Sequence, residues 1–197
     1  MRAGDSPPMT RDDSAAARRD ATASPMPAVE RPSLLPPGRT RRAILWGGLL
    51  CGVLDISAAL VLSWAIARVA PMRVLQGIAE ALLGPASAQG GWASAALGLL
   101  MHFGVAFFWA SVFAVLCRRF PALLRWSVPA GLVYGAVVWI VMYRVVIPLI
   151  PFVNSLYLTT FDRTIPKLRL RQLVIHFLCV GLPIALTARR AARPARC

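Results

Sequence analysis

The sequence predicts an all-α integral membrane protein whose four transmembrane helices form a bundle. Hydrophobic residues make up 57% of its 197 residues and charged residues only 15%, whereas about a quarter of the residues in soluble domains are charged. Four long runs are almost free of charge, and about 20 apolar helical residues cross the hydrocarbon core. Asp55 is the single charge within the first run. An ionisable residue at that depth is usually buried among helices.

The predicted spans follow these runs. They are Ala43–Ala67, Trp92–Cys117, Trp126–Tyr143 with an extension to about Ile147, and Gln172–Ala188. The fourth run is near the lower limit of length, so we expect Leu168 and Leu170 to lengthen it while neighbouring arginines snorkel to the interface. Four tryptophans fall near predicted span ends, where aromatic side chains favour the headgroup level: Trp46, Trp64, Trp92 and Trp126.

Three regions are predicted along the chain. Residues 1–40 hold seven of the sixteen prolines and five of the eight acids, with few large apolar side chains. Such a segment cannot bury a core, so it is predicted to be a disordered cytoplasmic tail. Residues 41–190 form the four-helix transmembrane domain, and residues 191–197 form a basic cytoplasmic tail.

The net charge of +14 is explained by the membrane and not by nucleic acid. Lysine and arginine flank the apolar runs, and no nucleic-acid-binding motif is present. The predicted partner is therefore the lipid bilayer. More basic residues lie beside the N-terminus, the loop between spans two and three, and the C-terminus than in the other loops, which predicts that both termini are cytoplasmic. The basic stretch from Arg163 to Arg171 opposes this orientation.

The first outer loop contains a predicted short helix. Its sequence starts at Pro71, runs to Leu83 and is closed by Gly84-Pro85, which is typical helix punctuation. Its apolar residues recur at near-helical spacing, so we expect an interfacial helix on the outer surface. A lid over an outward cavity is the alternative. Arg73 and Glu80 lie apart from the apolar positions and, with Arg144 at the outer end of span three, are the predicted outer-face charges.

A weak internal repeat suggests two similar helical hairpins. Gly48 and Gly52 in span one match Gly131 and Gly135 in span three. His-Phe pairs also occur in spans two and four. Glycines four residues apart mark faces where membrane helices pack closely. This packing occurs either within one chain or between chains, and the second case would make the protein a homo-oligomer.

Asp55, His102 and His176 form the candidate site. They are the only intramembrane acid and the only two histidines of the chain. Counted from the cytoplasmic edge at ~1.5 Å per residue, they lie at ~20, ~24 and ~20 Å, and so can share one layer. One interpretation is a structural hydrogen-bonded cluster. A second is proton or solute handling, and a third is haem ligation by the two histidines.

Other chemistry has no support in the sequence. No HExxH pair, nucleophile elbow, phosphate-binding loop or paired carboxylates are present, so we predict neither an enzyme nor a metal site. The four cysteines lack metal-ligand spacing and are interpreted as small core residues.

Four segments carry a family resemblance: Gly48–Ile56, Arg73–Ala79, Leu97–Phe103 and His176–Leu186. Together they resemble uncharacterised bacterial inner-membrane proteins and are distantly similar to the YagU type. The resemblance spans residues ~43–190, the four predicted spans. It implies a small helical protein of the bacterial inner membrane, and it implies no activity or site residues.

The sequence therefore favours a non-enzymatic integral membrane component with a buried Asp/His layer and no cofactor. The alternatives are a proton-coupled small-solute transporter or permeation element, and a bis-histidine haem-binding electron carrier.

Overall fold

The computed structural model describes residues 35–150 and 166–193. The predictions for residues 1–34, for the apolar segment 151–165 and for residues 194–197 lie outside these described residues. The described part contains no strand and has four helices long and apolar enough to cross a membrane. The prediction of an all-α, four-helix membrane bundle is confirmed.

Helix α1 spans Pro37–Ala67 and begins six residues before the predicted span. Proline is tolerated in the first helical turn because its missing N–H would be unpaired there. The Thr40 hydroxyl donates to the carbonyl of Leu35 at 3.0 Å, and the Leu35 side chain is fully buried. These contacts fold residues 37–40, predicted as tail, into the transmembrane domain.

Helix α2 spans Pro71–Leu83, as predicted. It ends at Gly84, whose backbone (φ 62°, ψ −159°) is accessible essentially only to glycine. A 3₁₀ turn, Gly84–Gln89, then leads to the next helix. Gln76 and Glu80 are buried against the protein together with Val74 and Ala79, while Leu82 is 64% exposed.

Helix α3 spans Gly91–Arg119 and is followed by the short helix α4, Ala122–Arg125. Helix α5 runs through Ser127–Val141, a π-helical segment Met142–Val146 and Ile147–Leu149. Helix α6 runs through Pro166–Ile175, a second π-helical segment His176–Gly181 and Leu182–Ala192. The two π-helical segments were not predicted.

Each π-helical segment ends two residues before a proline. A proline inside a helix lacks an N–H and its ring clashes with the carbonyl four residues earlier. For Pro148 and Pro183 those carbonyls belong to Arg144 and Cys179, and both lie within the π-helical segments. Widening the helix there relieves the clash.

Neighbouring long helices are antiparallel. Gly48 and Gly52 of α1 face Phe107 and Phe103 of α3. Gly131 of α5 faces Gly181 and Ala185 of α6, and Gly135 faces the backbone of His176. Helix α6 also packs along α1. The Arg39 guanidinium donates to the carbonyl of Ala192 at 3.1 Å, so α1 begins and α6 ends at the same end of the bundle.

The hydrophobic core occupies the half of the bundle nearest that end. Phe113 and Tyr134 stack with ring centroids 4.8 Å apart, and the Tyr134 hydroxyl donates to the carbonyl of Trp109 at 2.7 Å. This bond joins α5 to α3. Cys51 and Cys117 are buried in this region and Cys179 is half-buried, and all three are free thiols.

The outward surface of the helices is apolar. The four tryptophans near the predicted span ends are all more than half exposed, as side chains at a membrane interface would be. Trp46 and Trp126 lie toward one end of the bundle, and Trp64 and Trp92 toward the other.

Candidate functional site

Asp55, His102 and His176 all line one cavity of about 230 Å³. The cavity is enclosed by α1, α2, α3, α5 and α6. Asp55 lies ~27 Å along α1 from its start and ~18 Å from its end, so the cavity lies beyond the core, toward α2. The structure thus brings the predicted polar residues of three different helices to one place.

Helix α2 contributes to the wall of this cavity. Gly77, Ile78 and Ala81 line it. The helix is held in place where the carbonyl of Leu75 meets Gly98 of α3, a position with no room for a larger residue. The Gln76 amide also donates to the carbonyl of Gly91 at 3.1 Å. Helix α2 therefore lies against α3 and borders the cavity. The interfacial helix and the lid both stay predictions.

The hydrogen bonds of the two histidines place a proton on one nitrogen of each ring. Nε2 of His102 lies 3.0 Å from the carbonyl oxygen of Gly52 on α1, and Nδ1 of His176 lies 2.8 Å from the carbonyl oxygen of Gln172. A carbonyl oxygen only accepts, so each of these nitrogens donates. In the neutral form of each ring, the other nitrogen (Nδ1 of His102 and Nε2 of His176) is a hydrogen-bond acceptor.

Asp55 is half-buried, and its carboxylate makes no hydrogen bond or ion pair with any residue that the structure describes. In particular, the carboxylate bonds to neither histidine. The three residues share a cavity without forming a hydrogen-bonded cluster. An ionised carboxylate in an apolar setting needs a partner, and the cavity is where a bound partner would reach it.

The rest of the cavity lining is mainly apolar. Its side chains come from all five helices and include Ile56, Met101, Val105, Val146, Ile147 and Ile150. Small-molecule sites in proteins are typically apolar concavities with a few polar groups that fix the orientation of the ligand. Around an apolar wall, the charge on a carboxylate is also screened less than in water.

Two further cavity residues were missed at the level of sequence. Tyr143 lies in the π-helical segment of α5, and its ring packs edge-on against His176 with centroids 6.0 Å apart. Gln172 lines the cavity and accepts from His176 through its backbone. Both lie at the ends of predicted spans, so the sequence predicts only that they bound a helix. Pro148 and Pro183 were the available signal, because π-helical segments often mark functional sites.

The four predicted packing glycines all contact another helix within the chain. Between the two interpretations left open by the sequence, the geometry selects packing within one chain. A side chain on Gly48 or Gly52 would meet a phenylalanine ring, and one on Gly131 or Gly135 would meet backbone of α6.

The predicted outer-face charges differ in their surroundings. Arg73 is exposed and donates to Gln76 at 3.2 Å and to the carbonyl of Ala88 at 3.3 Å. Arg144 is exposed in the π-helical segment of α5. Glu80 is only 9% exposed. The side of the membrane on which these three charges lie stays a prediction.

Among residues 35–150 and 166–193, no three His, Cys, Asp or Glu side chains are grouped closely enough to hold a metal ion. Asp55 and the two histidines thus line the same cavity without forming such a group.

Comparison of the chain with protein-family models, with curated proteins and with solved structures gave no match. The resemblance to bacterial inner-membrane proteins of the YagU type stays a prediction.

Proposed function

We propose that this protein is a non-enzymatic, multi-pass membrane protein that binds a small solute in the cavity and passes it across the membrane in exchange for protons. Asp55 is the primary binding and protonation site, and His102 and His176 are secondary acceptors. The proposed location is the bacterial inner membrane, with the start of α1 and the end of α6 on the cytoplasmic side.

The observation that carries the proposal is the convergence of Asp55, His102 and His176 on a single cavity. Ionisable residues inside the membrane are costly, and they commonly mark ion or substrate pathways and proton relays. The structural interpretation, a hydrogen-bonded cluster, would require the three groups to bond to one another. Instead, both histidines bond to backbone carbonyls and Asp55 bonds to no described residue.

The chemistry of the cavity favours a solute that donates hydrogen bonds. A carboxylate accepts only, and the second nitrogen of each neutral imidazole is also an acceptor. A cavity of about 230 Å³ corresponds to about seven or eight water molecules in the liquid. The proposed solute is therefore a small organic cation or another compact donor.

The two alternatives receive less support from this geometry. Haem is a larger molecule than the cavity accommodates, since sites for drug-sized ligands occupy about 300–1,000 Å³. A component that assembles through its glycine faces would need those faces free, but the four glycines pack within the chain.

The test uses the full-length protein in vesicles loaded with a fluorescent pH indicator. Guanidinium is the probe, because it is a small donor cation that stays charged and does not leak across lipid as a free base. An outward proton gradient is imposed, and both guanidinium uptake and internal pH are recorded. We expect wild-type vesicles to take up guanidinium while their interior becomes more alkaline, and Asp55→Asn to reduce both signals to the level of protein-free vesicles.

Glu80→Gln is the matched control, because it removes the other described acid, which does not line the cavity. This variant should retain transport. Size-exclusion chromatography establishes that each variant is folded. Wild-type protein that shows neither uptake nor proton flux above protein-free vesicles would refute the proposal, as would an Asp55→Asn variant that transports like wild type.

A further inference from the structure

A second concave surface lies at the opposite end of the bundle, where α1 begins and α6 ends. This groove has a volume of about 530 Å³ and is lined by four arginines, Arg39, Arg42, Arg190 and Arg193. Arg39 and Arg42 share one face of α1 because residues three apart are neighbours on a helix. Arg190 and Arg193 are related in the same way at the end of α6.

The positive charge of the groove has no counterpart among its lining residues. The only acids in the described part of the chain are Asp55 and Glu80, and neither lines the groove. Arg42, Arg190 and Arg193 are exposed, and Arg39 is held in position by its bond to the Ala192 carbonyl. Guanidinium groups present several N–H donors in a planar fork that matches phosphate oxygens. The complementary ligand is a phosphate-bearing anion.

The groove also has an apolar wall that continues toward the middle of α1. Trp46 is 56% exposed and Leu50 is 38% exposed, and both line the groove on the same helix face as Arg39 and Arg42. Arg42, Trp46 and Leu50 follow Arg39 by three, seven and eleven residues. This spacing keeps the four side chains in one stripe along the helix. A free phosphate needs only the arginines, whereas a lipid would also place its glycerol and acyl chains along Trp46 and Leu50.

We propose that this groove is a binding site for the headgroup of an anionic phospholipid. The four arginines hold the phosphate, and Trp46 and Leu50 contact the adjoining acyl region. Basic pockets beside transmembrane helices are known to bind anionic headgroups. The site is separate from the cavity at Asp55 and does not depend on the function proposed for it.

The test measures binding of phosphatidylglycerol to the full-length protein in phosphatidylcholine nanodiscs, by native mass spectrometry across a series of phosphatidylglycerol contents. The groove variant is Arg42→Gln/Arg190→Gln/Arg193→Gln, which leaves the structural bond of Arg39 intact. Since the loss of one charge-assisted bond between an arginine and the phosphate weakens binding on the order of tenfold, we expect at least about tenfold weaker binding.

The matched control is Arg118→Gln/Arg119→Gln/Arg125→Gln. It removes the same charge at the same end of the bundle, from exposed arginines that do not line the groove. We expect its affinity to change by less than about twofold. Equal losses in the two variants would mean that binding is diffuse surface electrostatics and would overturn the proposal.

Two further measurements distinguish a phospholipid from a soluble phosphate compound as the ligand of the groove. Glycerol 3-phosphate should not displace the lipid at equal concentration, and Trp46→Ala should weaken lipid binding. Full displacement by glycerol 3-phosphate, with no effect of Trp46→Ala, would reassign the groove to a soluble phosphate compound. Lipid binding that appears only after Asp12→Asn/Asp13→Asn would reassign the groove to the N-terminal segment that carries these two acids.

Discussion

The two helical hairpins carry similar sequence patterns but pack differently. In the first hairpin, Gly48 and Gly52 of α1 receive the rings of Phe107 and Phe103 from α3. In the second, Gly131 and Gly135 of α5 meet the backbone of α6 directly, near Gly181. The residue on the facing helix makes the difference, because glycine opposite glycine lets two backbones approach while glycine opposite phenylalanine forms a socket for a ring.

The histidines repeat this contrast. His102 donates across the first hairpin to the carbonyl of Gly52, whereas His176 donates within its own helix to Gln172. The first histidine joins two helices. The second is placed by the π-helical segment of α6. Each hairpin thus places its histidine at the cavity through a different hydrogen bond, one between helices and one within a helix. Substitutions can disrupt each of them separately.

The largest effect is expected for Gly181→Ala. A Cβ there would collide with the Gly131 carbonyl and the backbone of Gly135, and neither can move without shifting a helix. Overpacking of this kind costs about 1–3 kcal/mol, and rigid backbone neighbours place this site at about 3 kcal/mol. Thermal unfolding in mild detergent measures it. A transition unchanged from wild type would show that the second hairpin is not packed backbone to backbone.

A smaller effect is expected for Gly48→Ala in the first hairpin. The new Cβ would meet only the ring of Phe107, which can rotate away, so we expect a loss of about 1 kcal/mol. Gly104→Ala is the matched control on α3, because nothing lies within 4 Å of its added Cβ. That variant should gain about 0.5 kcal/mol from the higher helix propensity of alanine. If Gly48→Ala destabilised the protein as much as Gly181→Ala, the contrast between the hairpins would be lost.

The smallest expected effect is the difference in stability between variants of the two histidines. His102→Phe removes a bond between helices, and such bonds contribute about 0.6 kcal/mol, up to about 1.7 kcal/mol, in membrane proteins. His176→Phe removes only a bond within α6 and keeps an aromatic ring against Tyr143. We therefore expect lower unfolding temperatures for His102→Phe than for His176→Phe. The reverse order would assign the structural role to His176.

Much of the fold could be predicted from local sequence. Hydropathy located four spans, and Pro71 with Gly84-Pro85 bounded α2 correctly. Counting the helical rise placed Asp55, His102 and His176 in one layer, and they line one cavity. The burial of Gln76 and Glu80 could not be predicted, since it depends on a small residue of another helix, Gly98, that allows the backbone of α2 to approach α3.

The sequence by itself determined the number of helices long enough to cross a membrane, their approximate bounds and the positions of Asp55, His102 and His176 along them. These properties depend on hydropathy and spacing along one chain segment. Tertiary structure alone decided the π-helical segments, the hydrogen bonds of the histidines, the contributions of Tyr143 and Gln172, and the arginine groove. Each of these depends on how helices rotate and how closely they approach. That is set by the sizes of side chains that face one another from distant parts of the chain.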